Sequence, residues 1–297
     1  MLKRFGFTSL LIISVFTAVT SAQDFSFARP RPLMALCAEL QNKYGLLVTY
    51  EDAPTDLIWE TGSEIHPDGV KFLFPKWKPI TFHIQPALPT RSNAAAQMNA
   101  ATDPDQSFAA VQDLVNQYNL SGNPGRFSVT QDKGYLHIQQ TSRIVNGQWQ
   151  AFTPVSDAIL SMESKLASCQ QVLDDFYTAM REQHNIAIAE ANIPGGALLR
   201  HHCELTGASV TARQVLEAVI DGLDSNNLTG EKTLAYSWDL VHDPNWDKYF
   251  LSLSLVRRHS PSPAAEPTTP QTIATGANPG SNLRVKHQKA SIAAQQP

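Results

Sequence analysis

The sequence predicts an α+β fold of two related two-layer modules, each with two helices packed on a small mixed sheet. Three observations carry this. Residues 33–54 and 173–194 repeat one pattern, an amphipathic helix running straight into a short strand, at a constant offset of 140 without a gap. Each half also carries a later helix followed by two strand-like segments. Between those parts lies one more strand per half, giving the order helix, strand, strand, helix, strand, strand twice over.

The chain has 297 residues and opens with a leader. Lys3 and Arg4 precede the apolar run Phe5 to Val19, and Thr20, Ser21 and Ala22 supply small residues for cleavage. This is the order of a secretory signal peptide over 1–22, cut near Ala22. The run is shorter than the ~20 apolar residues that span a bilayer, so no membrane span is expected in the mature chain. The expected location is the periplasm or the exterior.

The first module covers 23–140. Leu33, Leu36, Cys37 and Leu40 recur at the i, i+3, i+4, i+7 spacing of one apolar helix face. The helix stops at Tyr44-Gly45, and "LLVTY" (46–50) alternates as a strand. Residues 55–78 read as a loop insertion in which Trp59, Phe72, Phe74 and Trp77 stand among Lys71, Lys76 and Lys78. That composition is either a lid on the module or an interaction patch, because aromatics in a polar rim carry much binding energy. A strand over 79–85 and a Pro/Ala/Asn connection over 86–106 follow. Ser107 is the expected N-cap of a helix over 107–118. "RFSVTQ" and "YLHIQQ" are strands joined by Asp132-Lys133-Gly134.

A connector, 141–154, bridges the modules or holds one further strand. The second module covers 155–256. Ile159, Met162, Leu166, Cys169, Leu173, Phe176 and Met180 form a stripe at helical spacing, so its first helix is expected to begin near Val155. Strands are expected over 186–190 and 197–205, and a helix over 211–223 capped by Thr211. A terminal hairpin joins 232–241 to 248–256 through His242–Asp247. Residues 257–297, rich in Pro, Ala, Thr and Gln, lack the apolar surface to offset ordering and are expected to form a disordered tail.

Two of these stretches resemble a known family. "LVTYE" after the helix ending in Tyr44-Gly45, and "TARQVLEAVI" (211–220), resemble the short N-terminal module of secretins and TonB-dependent receptors, the STN or secretin N-domain type. "SFAAVQDLV" (107–115) matches the second element less closely. The resemblance implies a module for protein–protein contact in the cell envelope, in two copies, and no reaction. No long series of amphipathic strands follows, so neither a barrel nor a secretin pore is expected.

Charge and motifs narrow the chemistry. There are 27 acidic against 23 basic residues, a net charge of −4, which argues against a nucleic-acid partner. "ALLRHHCELTG" (197–207) contains the residue types that hold zinc, but on a strand His201 and His202 point to opposite faces. His201 and Cys203 share a face with Leu199 and Leu205 and supply only two of the three or four ligands a zinc site needs. No metal or other cofactor is expected. Cys203 and Cys169 both fall on core-facing positions, 34 residues apart, and form a disulfide candidate; the alternative is two buried thiols. Cys37 reads as a free core thiol. Asn192–Gly196 lacks phosphate-loop spacing, and no serine lies in a G-x-S-x-G elbow. Glu51-Asp52 and Asp174-Asp175 read as solvated pairs. The favoured reading is therefore a non-catalytic exported interaction or envelope-assembly protein whose partner is another envelope protein. The alternative is a small secreted hydrolase or ligand-binding protein with a site between the modules.

Overall fold

A computed structural model describes residues 23–28, 30–54, 61–84, 104–163, 165–225 and 234–258. The leader, Trp59, most of the 86–106 connection and the tail beyond Arg258 lie outside the described residues. The chain combines helices with mixed sheets, as an α+β fold requires.

Strand β1 (Gln23–Phe27) precedes α1 (Pro32–Glu39), which has proline in its first turn and continues as a π-helical turn over Leu40–Tyr44. Gly45, at φ 67°, ends it as the sequence predicts. Strand β2 (Val48–Glu51) follows. The expected loop at 55–78 contains a hairpin, β3 (Thr61–Ile65) and β4 (Lys71–Pro75), folded on the turn at Pro67–Gly69. After β5 (Ile80–Ile84) comes α2 (Pro104–Leu120). Ser107 is buried inside that helix and is not its cap; Pro104, which has no N–H to leave unsatisfied, stands at the start.

β6 (Arg126–Asp132) and β7 (Tyr135–Val145) form the predicted hairpin. The connector holds β8 (Gln148–Ala151), paired to the end of β7. A 3-10 turn at Val155–Asp157, β9 (Ile159–Ser161) and β10 (Lys165–Ser168) replace the expected first turns of a long helix. Helix α3 (Cys169–His184) starts only after Ser168, whose hydroxyl accepts the Gln171 N–H at 3.2 Å. Ile159 and Leu166 are consequently exposed.

Strand β11 (Ile188–Glu190) leads to α4 (Gly195–Arg200), then β12 (His202–Leu205) and β13 (Ser209–Thr211). Thr211 caps α5 (Ala212–Ser225) as predicted. Its hydroxyl accepts the Gln214 N–H at 3.2 Å, and the Gln214 carboxamide oxygen accepts the Thr211 N–H at 2.8 Å, a reciprocal capping box. Strands β14 (Leu234–Asp243) and β15 (Lys248–Arg257) close the described chain.

One seven-stranded sheet runs in the order β11-β15-β14-β2-β7-β6, with β8 beside β7. Within residues 23–145, β1 pairs antiparallel with β5, β2 runs parallel to β7, and β7 is antiparallel to β6. Within 165–257 the same pairings recur: β10 with β12, β11 parallel to β15, β15 antiparallel to β14. The halves meet where β14 runs parallel to β2. Val48 and Tyr50 face a core built with α1 and α2. Thr49 and His137 face the other side, toward α5, where Trp238, Leu240 and Leu251 pack with α3 and α5. The helices of the two halves therefore lie on opposite faces.

Several strand edges are covered by carboxamides. Each of five side chains bonds both the N–H and the C=O of one residue: Gln117 on His83, Asn119 on Phe127, Asn123 on Lys78, Gln183 on Ser161 and Asn245 on Leu73. Such an amide imitates a neighbouring strand and blocks another chain from pairing there.

Candidate functional site

The stretch 197–207 is not one strand. Residues Gly195–Arg200 form α4, and the strand begins only at His202. Leu198 is therefore buried and Leu199 exposed, the reverse of the strand expectation, and His201 lies on the bend between the two elements. The reason is local: Pro194-Gly195-Gly196 starts a turn, with the Ala197 and Leu198 N–H groups bonding the Pro194 carbonyl. Among the described residues, no three His, Cys, Asp or Glu side chains gather as a metal site.

Cys203 points inward from β12 and forms a disulfide with Cys169 at the start of α3, the Cα atoms 5.0 Å apart. Cys37 is a buried free thiol, and burial pushes its pKa well up, with Asp239 nearby adding to the effect.

Three buried polar groups form a row that sequence spacing did not reveal. Thr49 Oγ1 lies 2.8 Å from His137 Nδ1, and His137 Nε2 lies 3.7 Å from Glu217 Oε1. Glu217 Oε2 accepts from Lys133 Nζ at 2.9 Å. The order hydroxyl, imidazole, carboxylate is that of a nucleophile with its base. Thr49 and His137 are both fully buried, so no substrate reaches the hydroxyl. Burial, with Arg213 adding to it, pushes His137 down to about 4. The neutral ring is stacked between Tyr135 and Trp238, while its Nε2 and the facing Glu217 Oε1 are buried without a hydrogen bond among the described residues.

Glu51 and Asp52 are buried as well, against the solvated expectation. Glu51 accepts from the Val155 and Ser156 N–H groups of the 3-10 turn; burial still lifts its pKa to about 7. Asp52 accepts from Arg31 Nε at 2.7 Å and from the His242 N–H at 2.5 Å, while Arg31 also donates to the His242 carbonyl. Arg31 reaches this point from a left-handed conformation, φ 57°, just ahead of α1. Asp52 thus fastens the β2–β14 junction, and Glu51 anchors the 3-10 turn to β2.

A small cleft opens beside that junction. Tyr50, Tyr118 and Phe127 form its aromatic floor, with Phe127 stacked on Tyr50 and edge-on to Tyr118. Arg31, Trp77 and Gln140 add to its lining. Its enclosed part is about 20 Å³, room for about one water. The lining comes wholly from residues 31–140 and not from between the halves.

The aromatic segment divides. Trp77 lines the cleft, whereas Phe72 stands on β4, exposed and edge-on to His66. Trp59 and the Phe74 side chain lie outside the described residues. The hairpin exposes Ile65 at 71%, Val70 at 50% and Phe72 at 46%. Asn245, in the turn between β14 and β15, bonds Leu73 of this hairpin at 2.6 and 2.8 Å. Its neighbour Trp246 is 67% exposed, with Lys248 Nζ 5.5 Å from the ring centre. Two loops distant in sequence are thus tied together, and each carries exposed apolar side chains, Val70 and Phe72 on one face of the hairpin and Trp246 on the turn. Sequence reasoning found the hairpin aromatics and missed Trp246 as part of the same surface, because nothing local links residue 246 to residue 73.

Neither a family model, nor a curated protein, nor a solved structure matches the chain.

Proposed function

We propose that the chain is a non-catalytic exported interaction protein that binds another envelope protein through the β3–β4 hairpin and the Trp246 turn. The observation that carries this is the pair of exposed apolar side chains Val70 and Phe72 on one face of the hairpin, with exposed Trp246 on a turn tied to that hairpin by the Asn245–Leu73 bonds. Aromatic and aliphatic side chains on a rigidly tethered projection, with Lys71 and Lys248 at its rim, form the kind of centre that dominates interface energy. Thr49 and His137 are fully buried out of reach of a substrate, and buried Glu51 and Asp52 are bonded to backbone N–H groups, which supports a binding role over a catalytic one. Export is supported by the secretory-type order of basic, apolar and small residues over 1–22 and by the Cys169–Cys203 disulfide, since such bonds persist in oxidising compartments. The described helices include none long and apolar enough to cross a membrane. The repeated strand pairings support the reading of two related modules.

The test is a crosslinking pull-down from an envelope extract with three proteins: wild type, Phe72→Ser/Trp246→Ser and Trp77→Ala. One protein retained in stoichiometric amount by wild type and Trp77→Ala, and lost by the double variant, is the expected result. Equal recovery by all three, with the double variant unfolding at the wild-type temperature, overturns the docking surface.

A further inference from the structure

The two halves of the sheet have the same left-to-right order and opposite strand directions. β11, β15 and β14 correspond to β2, β7 and β6, and every strand of one set runs against its counterpart. A half-turn about an axis in the sheet plane, perpendicular to the strands, followed by a shift along that axis, relates them. This operation also carries the helices to the opposite face, where they are found. Its central joint, β14 against β2, is heterologous: two different edges meet, and the equivalents of both edges, β6 and β11, stand at the ends of the sheet among the described residues. A heterologous joint that does not close on itself propagates.

We infer that copies of this chain associate head to tail, β6 of one against β11 of the next, by repeating the internal β14–β2 joint. The inference rests on the two halves being related; it does not use the hairpin surface.

The internal joint shows which atoms would meet. There the Asp52 N–H bonds the Leu240 carbonyl at 3.2 Å, and the Asp52 carboxylate accepts the His242 N–H at 2.5 Å. Leu240 faces Leu251, as Val129 faces Ile138; His242 faces Tyr249, as Gln131 faces Leu136. The residue 140 positions beyond Asp52 is Asn192, which follows β11 and keeps a side-chain oxygen in the same place along the chain. In the repeated joint the Asn192 N–H bonds the Val129 carbonyl, and the Asn192 carboxamide oxygen accepts the Gln131 N–H. The outward direction of Gln131 is fixed by its partner: the Leu136 N–H turns away from β6 to bond Leu47 on β2, so the 131–136 pair is a non-bonded one and the Gln131 peptide faces the open edge. The Asn119 carboxamide covers Phe127 and ends the open stretch there, which confines pairing to the short length the internal joint uses.

Sedimentation velocity and small-angle scattering across a concentration series test this with the full exported chain. Average mass should rise with concentration, by at least twofold below about 1 mM, without stopping at a dimer. Gln131→Pro removes an N–H that the internal ladder does not use, and Asn192→Ala removes the carboxamide at the other end. Each alone should remain monomeric and should unfold at or near the wild-type temperature. Mixed in equal amounts they should give dimers and nothing longer, because one intact end of each kind remains. Wild type that stays monomeric throughout, self-association that both variants retain, or a mixture that stays monomeric would each overturn the inference. None of these outcomes bears on the hairpin surface, whose pull-down is read separately.

Discussion

Gly222, on the inner side of α5, has no room for a side chain. A Cβ there would stand 2.5 Å from Cys203 Sγ, 2.8 Å from the His202 carbonyl and 2.9 Å from Cys169 Sγ. Ala is the better helix former by about 1 kcal/mol, yet it would be forced into a disulfide and a backbone oxygen, neither of which can swing aside. Gly222→Ala is expected to lower stability by about 1–3 kcal/mol, seen as a fall in the thermal midpoint; an unchanged or raised midpoint would mean that α5 shifts freely. The pairing of Cys169 with Cys203 was legible in sequence, since each cysteine lies at an inward position of its own element. Gly222 was not, because its constraint comes from residues far away in the chain. Asp239 belongs to the same scale. One of its carboxylate oxygens is buried without a hydrogen-bond partner among the described residues, and burial lifts its pKa to about 7. Burial likewise lifts Glu51 to about 7 and Asp224 to about 6. A folded pKa above the unfolded value, about 4, means that the native state holds the proton more tightly. The resulting stability is complete below about pH 4 and is lost as pH rises through 6 to 7. Buried neutral His137 works the other way between about pH 4 and 6.5, so the fall in urea midpoints should be read from pH 6.5 to pH 8. Asp239→Asn, which keeps the neutral form at all pH values, should have the wild-type midpoint near pH 4 and exceed it by a widening margin up to pH 8. Equal midpoints for the two proteins at pH 8 would contradict the assignment.

Among the elements, those with a strong period and a clear stop follow the sequence. The Tyr44-Gly45 break, the Thr211 cap, the hairpin at Asp132–Tyr135 and the terminal hairpin all lie where expected. The elements that differ share a cause: short apolar runs fit two periods equally well, and a tertiary contact selects one. Ile159, Met162 and Leu166 fit a helix by spacing. They fall instead into β9, β10 and the segment between, because the 3-10 turn before them is anchored on Glu51 and β10 is drawn antiparallel onto β12. Leu198 and Leu199 fit a strand, and Pro194-Gly195-Gly196 winds them into α4. Strand β1 carries no helix-like or loop-like signal of its own and owes its place to β5, with Phe25 opposite Phe82 in the first core. The carboxamide clamps were equally hidden: an Asn or Gln late in a helix, such as Gln117, Asn119 or Gln183, or in a turn, such as Asn245, reads as a polar surface residue until the strand edge it covers is seen.

For the molecule as a whole the decisive feature is the β2–β14 junction, where residues from both halves are buried together. Arg31 holds it from one side, bonded to Asp52 and to the His242 carbonyl. Arg31→Ala would leave the Asp52 carboxylate buried without its cation, and breaking such a pair from one side is destabilising by about 3–5 kcal/mol. Equilibrium urea unfolding near pH 7 should show that loss. Arg31→Ala/Asp52→Asn should regain a substantial part of it, because the uncompensated charge is gone; a double variant no more stable than Arg31→Ala would place the loss in packing and not in charge. By itself the sequence determined the α+β class, the order of most elements, the two sets of core-facing positions and the inward direction of both disulfide cysteines. These depend on local periodicity, caps and turns, which neighbouring residues specify among themselves. Tertiary structure alone decided that both halves share one sheet, that their helices lie on opposite faces, that Glu51 and Asp52 are buried, and that Trp246 stands beside the β3–β4 hairpin. Each of these depends on pairing between strands or loops remote in sequence, and the pattern within one strand fixes which face is buried but not which edge it meets.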